Sequence, residues 1–99
     1  MRLRLSPFVP GDLELIAEYI AQDSPHLAGR VLGLLRARIK EIARNPEVYR
    51  LRPELGVDAR LAAVGSYIIL FRIHRNAVRI ERVLHGGRDI LPILEEMVV

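Results

Sequence analysis

Polar and apolar residues alternate from Arg2 to Ser6 and Pro7 ends the run, which predicts a short first strand. After the Pro10-Gly11-Asp12 break, Leu13, Ile16, Ala17 and Ile20 recur at helical spacing, so a helix is expected from Asp12, as its N-cap, to Ala21. Ser24-Pro25 then supplies a capping hydroxyl followed by proline at the first helical position, where its missing N–H costs nothing. In the helix that follows, Ala28, Leu32, Leu35, Ile39 and Ile42 form one stripe, broadened by Leu27, Val31 and Leu34. It ends before Asn45-Pro46, because a residue preceding proline is pushed out of helical dihedrals. So short a link between the two helices makes them an antiparallel hairpin.

Glu47 to Asp58 contains Pro53 and Gly56 and has no clean period; it reads as a loop with room for one helical turn. Arg60 to Val64 is a short strand closed by Gly65-Ser66. Tyr67 to His74 is the strongest strand, with Tyr67, Ile69, Phe71 and Ile73 on one face and Ile68, Leu70, Arg72 and His74 on the other. Both faces are apolar at its start, so it should be central. Arg75-Asn76 makes a tight turn and Ala77 to His85 returns as the second strand of a hairpin. Val78 and Ile80 set a phase that Arg82 breaks and Val83 and Leu84 resume out of step, so a bulge is expected near Glu81-Arg82. Asp89 can cap a short terminal helix through Leu94, with Pro92 in its first turn. The predicted fold is a two-layer α+β domain spanning residues 1–99, in the order β-α-α-β-β-β, with the helical hairpin packed on a mainly antiparallel four-stranded sheet.

Composition narrows the class. A chain of 99 residues, 51% hydrophobic, has the profile of one small domain with one core. No apolar run approaches the roughly 18 residues that span a bilayer, and the alternating N-terminus is unlike a signal peptide, so a cytoplasmic protein with no membrane contact is expected. With no cysteine there is no disulfide framework, thiolate metal site or thiol nucleophile. Three scattered histidines without paired spacing point to no metal site, and no cofactor is expected.

The net charge of +3 rests on 14 arginines and the single Lys40, a bias with two readings: forks that suit phosphates and carboxylates, or a GC-rich coding sequence. The first helix is acidic through Asp12, Glu14, Glu18 and Asp23. The basic excess lies on the second helix, the loop after it and the sheet, a surface suited to an acidic peptide or nucleic acid.

One ordered set of segments carries a resemblance over nearly the whole chain: Asp12-Leu13 through Tyr19-Ile20-Ala21, Asn45-Pro46, Arg52-Pro53-Glu54-Leu55-Gly56, Gly65-Ser66-Tyr67-Ile68-Ile69-Leu70-Phe71-Arg72, and Arg82-Val83-Leu84-His85-Gly86-Gly87-Arg88-Asp89. Together they resemble the ParE branch of the RelE/ParE toxins of bacterial toxin-antitoxin modules. The resemblance implies a cytoplasmic, non-enzymatic toxin that poisons DNA gyrase and forms a hetero-oligomeric complex with a ParD-like antitoxin. The alternatives are a RelE-like ribosome-dependent mRNA endonuclease and a decayed, non-toxic binding module. RelE-like enzymes carry an arginine just after the Gly-x-Tyr of the central strand and often a tyrosine shortly after the terminal Arg-Asp; here those positions hold Ile68 and, approximately, Leu91. Neither can stabilise a phosphorane or move a proton. A different combination, Glu54 with Arg72 and His85, could in principle do the same chemistry.

The expected target-contact residues are Arg72, Arg82, His85, Arg88 and Asp89, since a bulged strand end projects polar groups toward a partner. His85, before Gly86-Gly87, has a structural reading as well, hydrogen-bonded into the turn. The antitoxin is expected to lay an amphipathic helix on the hairpin at Leu27, Val31 and Leu34, which could equally belong to the core.

Overall fold

A computed structural model describes residues 1–87. Strand β1 (Arg2–Leu5) leads into helices α1 (Val9–Ala21) and α2 (Pro25–Arg44), and two 3-10 turns (Pro46–Val48 and Pro53–Leu55) connect to strands β2 (Ala59–Val64), β3 (Tyr67–His74) and β4 (Ala77–His85). The sheet order is β1-β4-β3-β2; β1 runs parallel to β4 and the other pairs are antiparallel. This is the α+β architecture expected, with β3 and β4 both interior. The proposed terminal helix, with Arg88, Asp89, Leu91 and Leu94, lies outside the described residues.

Ser24 caps α2 as its sequence suggests: the backbone N–H of Leu27 donates to Ser24 Oγ at 3.1 Å, and Pro25 opens the helix. Helix α1 differs from expectation. It begins at Val9, three residues before Asp12, because Pro10 falls in its first turn, where a missing N–H breaks no intrahelical bond. Asp12 is therefore not a cap, and its carboxylate is put to another use. The 47–58 connection makes two helical turns where one was expected.

The core is a single layer between hairpin and sheet. Val9 and Ile16 of α1 and Leu35, Ile39 and Ile42 of α2 meet Ala62, Ile69, Phe71, Val78, Ile80 and Val83. Tyr49 closes one side with its ring edge on Phe71, centroids 5.4 Å apart. At the β3–β4 turn Arg75 and Asn76 both take positive φ, 51° and 60°, the twist that matches a two-residue hairpin. Among the described residues no helix is long and apolar enough to cross a membrane.

The bulge falls where the phase break placed it. Phe71 pairs with Ile80 and Leu70 with Arg82, leaving Glu81 without an opposite residue on β3. The extra residue restores phase, so Ile80 and Val83, three positions apart, both enter the core. Ser6, fully buried, locks it from the β1 side: its N–H donates to the Ile80 carbonyl at 2.8 Å and its Oγ to the Glu81 carbonyl at 2.6 Å.

Candidate functional site

Two charged groups flank the bulge and divide its chemistry between the sheet's edge and its outer face. At the edge, β1 accompanies β4 only as far as Ile80, so the later β4 amides need another acceptor. Asp12 provides it. The Val83 N–H donates to Asp12 Oδ2 at 3.0 Å, and Arg82 donates from Nε and Nη2 to Oδ2 and Oδ1 at 2.8 and 2.7 Å. The guanidinium carbon also lies 5.0 Å above the Phe8 ring. Arg82, expected on a contact surface, is thus largely enclosed and fastens α1 to the sheet; a bidentate pair in low dielectric is worth more there than as a loose surface charge.

Beyond this corner a cleft of about 340 Å³ opens between α1 and the end of the sheet, lined by Asp12, Leu15, Ile16, Tyr19, Tyr67, Val83, Leu84 and His85. Leu15 and Tyr19 are well exposed although apolar or aromatic. Sequence reading passed over both because they fall outside the Leu13-Ile16-Ala17-Ile20 stripe; the available signal was an i, i+4 apolar pair on the otherwise polar face of α1. His85 stands at the mouth with its ring edge to Tyr67, centroids 5.5 Å apart. Its Nδ1 accepts from the Gly87 N–H at 3.1 Å, so a neutral ring carries its proton on Nε2. That is the turn-bonded histidine of the structural reading, with one nitrogen still directed outward.

On the outer face, Glu81 is buried and its Oε1 receives Arg72 through Nη2 at 3.2 Å and Nε at 3.4 Å, with Arg79 Nε 2.8 Å away in a charge contact that is not aligned as a hydrogen bond. Arg72 and His85 do not share a surface. His85 pairs with Tyr67 and Arg72 with Arg79, and five residues of β3 separate the two positions by roughly 17 Å. Glu54 is tied to Arg52 Nε at 2.9 Å in the loop preceding β2. The substitute RNase set of Glu54, Arg72 and His85 is therefore dispersed. Of the five expected contact residues, Arg72, Arg82 and His85 occupy three separate environments, and Arg88 and Asp89 lie outside the described residues.

On α2, Leu27 and Leu34 are exposed, whereas Val31 packs against the core cluster. The hairpin thus offers two of its three expected docking residues. A separate groove of about 480 Å³ lies between the hairpin and β1, lined by Leu5, Val9, Leu13, Ala17, Leu32 and Arg36 among others. Among the described residues no three acidic or histidine side chains gather as metal ligands would.

The family model of the ParE toxin of type II toxin-antitoxin systems, parDE, matches residues 3–90. The chain belongs to the ParE toxin family. It is thus a toxin component of the ParE/RelE kind from type II toxin-antitoxin modules. Solved structures agree with the fold. A chromosomal ParDE toxin-antitoxin system from P. aeruginosa is similar with a TM-score of 0.74 at 18% identity, over 86% of this chain and 95% of that one. The RelBE2 toxin-antitoxin complex of Mycobacterium tuberculosis gives 0.54 at 26% identity, over 85% and 95%. The isolated E. coli RelE toxin gives 0.58 at 12% identity, over 99% and 98%. No curated protein sequence matches the chain. The ParDE and RelE structures share this chain's layer of helices on a sheet.

Proposed function

We propose that this ParE-family toxin acts in the cytoplasm by inhibiting DNA gyrase, without enzymatic activity of its own, and is neutralised by a ParD-like antitoxin. The observation that supports this reading most directly is Ile68, in the Gly65-Ser66-Tyr67-Ile68 segment at the start of β3, where an RNA-cleaving relative of the RelE kind would carry arginine. An aliphatic side chain there offers no charge to a scissile phosphate. The replacement set is not gathered: Arg72 and His85 lie toward opposite ends of β3, and Glu54 is tied to Arg52 in the loop before β2.

The antitoxin's role follows from surface chemistry. Leu27 and Leu34, two turns apart on one face of α2, are large apolar side chains in contact with water, an arrangement suited to an amphipathic helix laid against it.

Purified, antitoxin-free protein should inhibit supercoiling of relaxed plasmid by gyrase and ATP, or trap cleaved DNA, while leaving messenger RNA intact on translating ribosomes. Cut message with normal supercoiling would replace this reading with a RelE-type RNase. Activity in neither assay would point to a decayed toxin or to another target.

A further inference from the structure

Strand register aligns three arginines across the sheet. Arg4 of β1 pairs with Arg79 of β4, and Arg79 pairs with Arg72 of β3. Directly paired residues share a face at about 5 Å spacing between Cβ atoms. The face is the one turned away from the helices, since Val78 and Ile80, which flank Arg79, enter the core. The next row on that face is Arg2, Ala77 and His74.

Like charges placed side by side across strands are destabilising, and here buried Glu81 holds the middle of the row together through Arg79 and Arg72. It does not cover them: the two side chains remain 45% and 42% exposed, and Arg2, Arg4 and His74 are exposed as well. Arg72, His74 and Arg79 also line a hollow of about 280 Å³ with Val57, Asp58 and Ile73. The two rows therefore present a cationic area in which Glu81 is sunk beneath the guanidinium groups, with the exposed Asp58 beside it.

We propose that this arginine row docks the phosphodiester backbone of a nucleic acid, independently of sequence and independently of whether gyrase is the target. Guanidinium forks match phosphate oxygens in pairs, and a row of repeated cations suits a polymer of repeated anions. A peptide partner would look for apolar anchors, and within these two rows the only apolar residue is Ala77, which is buried. The row lies at the opposite end of β3 from the Tyr67–His85 cleft, and Arg72 is its one member among the residues expected to contact the toxin's target.

The test is fluorescence anisotropy of the whole protein with a labelled mixed-sequence DNA duplex and, in parallel, a single-stranded RNA, over a salt series from roughly 50 to 200 mM. The informative variant is Arg4→Ala, because Arg4 does not hold Glu81 and its loss should leave the melting temperature unchanged. It should weaken binding about five- to tenfold at the lowest salt and reduce the slope of log K against log salt by about 1, alike for different sequences. Arg2→Ala/Arg4→Ala should compound the loss, while Arg30→Ala on exposed α2 should change neither quantity. Binding to either polymer with this pattern supports the assignment, and the tighter of the two names the source of the phosphates. Absence of binding at low salt, equal weakening by Arg30→Ala, or tighter binding to a decaglutamate peptide than to both nucleic acids would overturn it.

Discussion

Replacing Asp12 removes the acceptor that holds α1 on the sheet, and its cost can be worked out from three contacts. The carboxylate is 5% exposed and the Arg82 side chain 15%. Asp12→Ala leaves the Val83 amide without this acceptor and removes the carboxylate that pairs with the Arg82 guanidinium. Breaking a buried pair by removing one member costs about 3–5 kcal/mol, and an orphaned buried amide about 1–3 kcal/mol. These overlap, and Arg82 can turn part of its fork to water, so the lower end applies: about 3 kcal/mol, or roughly 12–24 °C in melting temperature for a domain of this size. Charge and acceptor can then be separated. Arg82→Met strands a buried carboxylate and should cost nearly as much as Asp12→Ala. Asp12→Asn/Arg82→Met should recover most of that loss, because an amide oxygen still receives the Val83 N–H and no buried charge remains. Urea denaturation of the three variants and the unaltered protein is the assay. A loss under about 0.5 kcal/mol for Asp12→Ala, the range of an ordinary surface change, would refute the enclosure of this corner. A double variant no better than Arg82→Met would refute the view that the amide is the group Asp12 must serve.

Ser6→Ala deletes the bond to the Glu81 carbonyl and should cost about 1–2 kcal/mol by the same denaturation measurement. Gly56 has φ 136° and ψ 172°, a region nearly exclusive to glycine, so Gly56→Ala should lower stability by about 1–3 kcal/mol, read as a shift of the urea midpoint. On α2, Leu34→Asp should preserve the melting temperature and weaken binding of an antitoxin, measured by calorimetry. Val31→Asp should instead lower the melting temperature, because its side chain packs on the core; the reverse pattern would interchange their roles.

Periodicity carried most of the architecture into the sequence. The Ser24-Pro25 start, the Asn45-Pro46 stop, the Arg75-Asn76 turn and the β4 phase break are local signals, each set by a backbone constraint acting within a few residues. Asp12 was misread for a physical reason. An aspartate ahead of an apolar stripe looks the same whether it caps its own helix or reaches a strand some seventy residues away, and only the third dimension places Val83 and Arg82 before it. The site suffered similarly. Arg72, Arg82 and His85 lie close together in sequence terms on one hairpin, yet pairing register sends Arg72 and His85 to opposite ends and the bulge turns Arg82 onto α1. Conversely, the Arg4-Arg79-Arg72 row joins positions far apart in sequence and exists only once β1 is known to lie parallel against β4.

The bulge explains why these features coexist. In an unbulged β4, residue 82 would follow Ile80 into the core, where a guanidinium would have to be desolvated. One extra residue avoids this and creates two demands: a peptide unit out of step with its partner, and two successive charged side chains to place. Ser6 meets the first by donating its hydroxyl to the Glu81 carbonyl. Asp12 meets half of the second by neutralising Arg82 at the edge, and Arg72 and Arg79 meet the other half by neutralising Glu81 on the outer face. Glu81 in turn lets two arginines stand on neighbouring strands, which leaves their outer donors directed at solvent beside Arg4. The surface best suited to phosphate thus arises from the same irregularity that fastens the hairpin to the sheet. Glu81→Ala consequently has two separable effects: a loss of stability on denaturation and, through mutual repulsion of Arg72 and Arg79, dispersal of the row. Nucleic acid binding should weaken in Glu81→Ala even though an anion has been removed; tighter binding would show that net charge alone governs the surface and that Glu81 organises nothing.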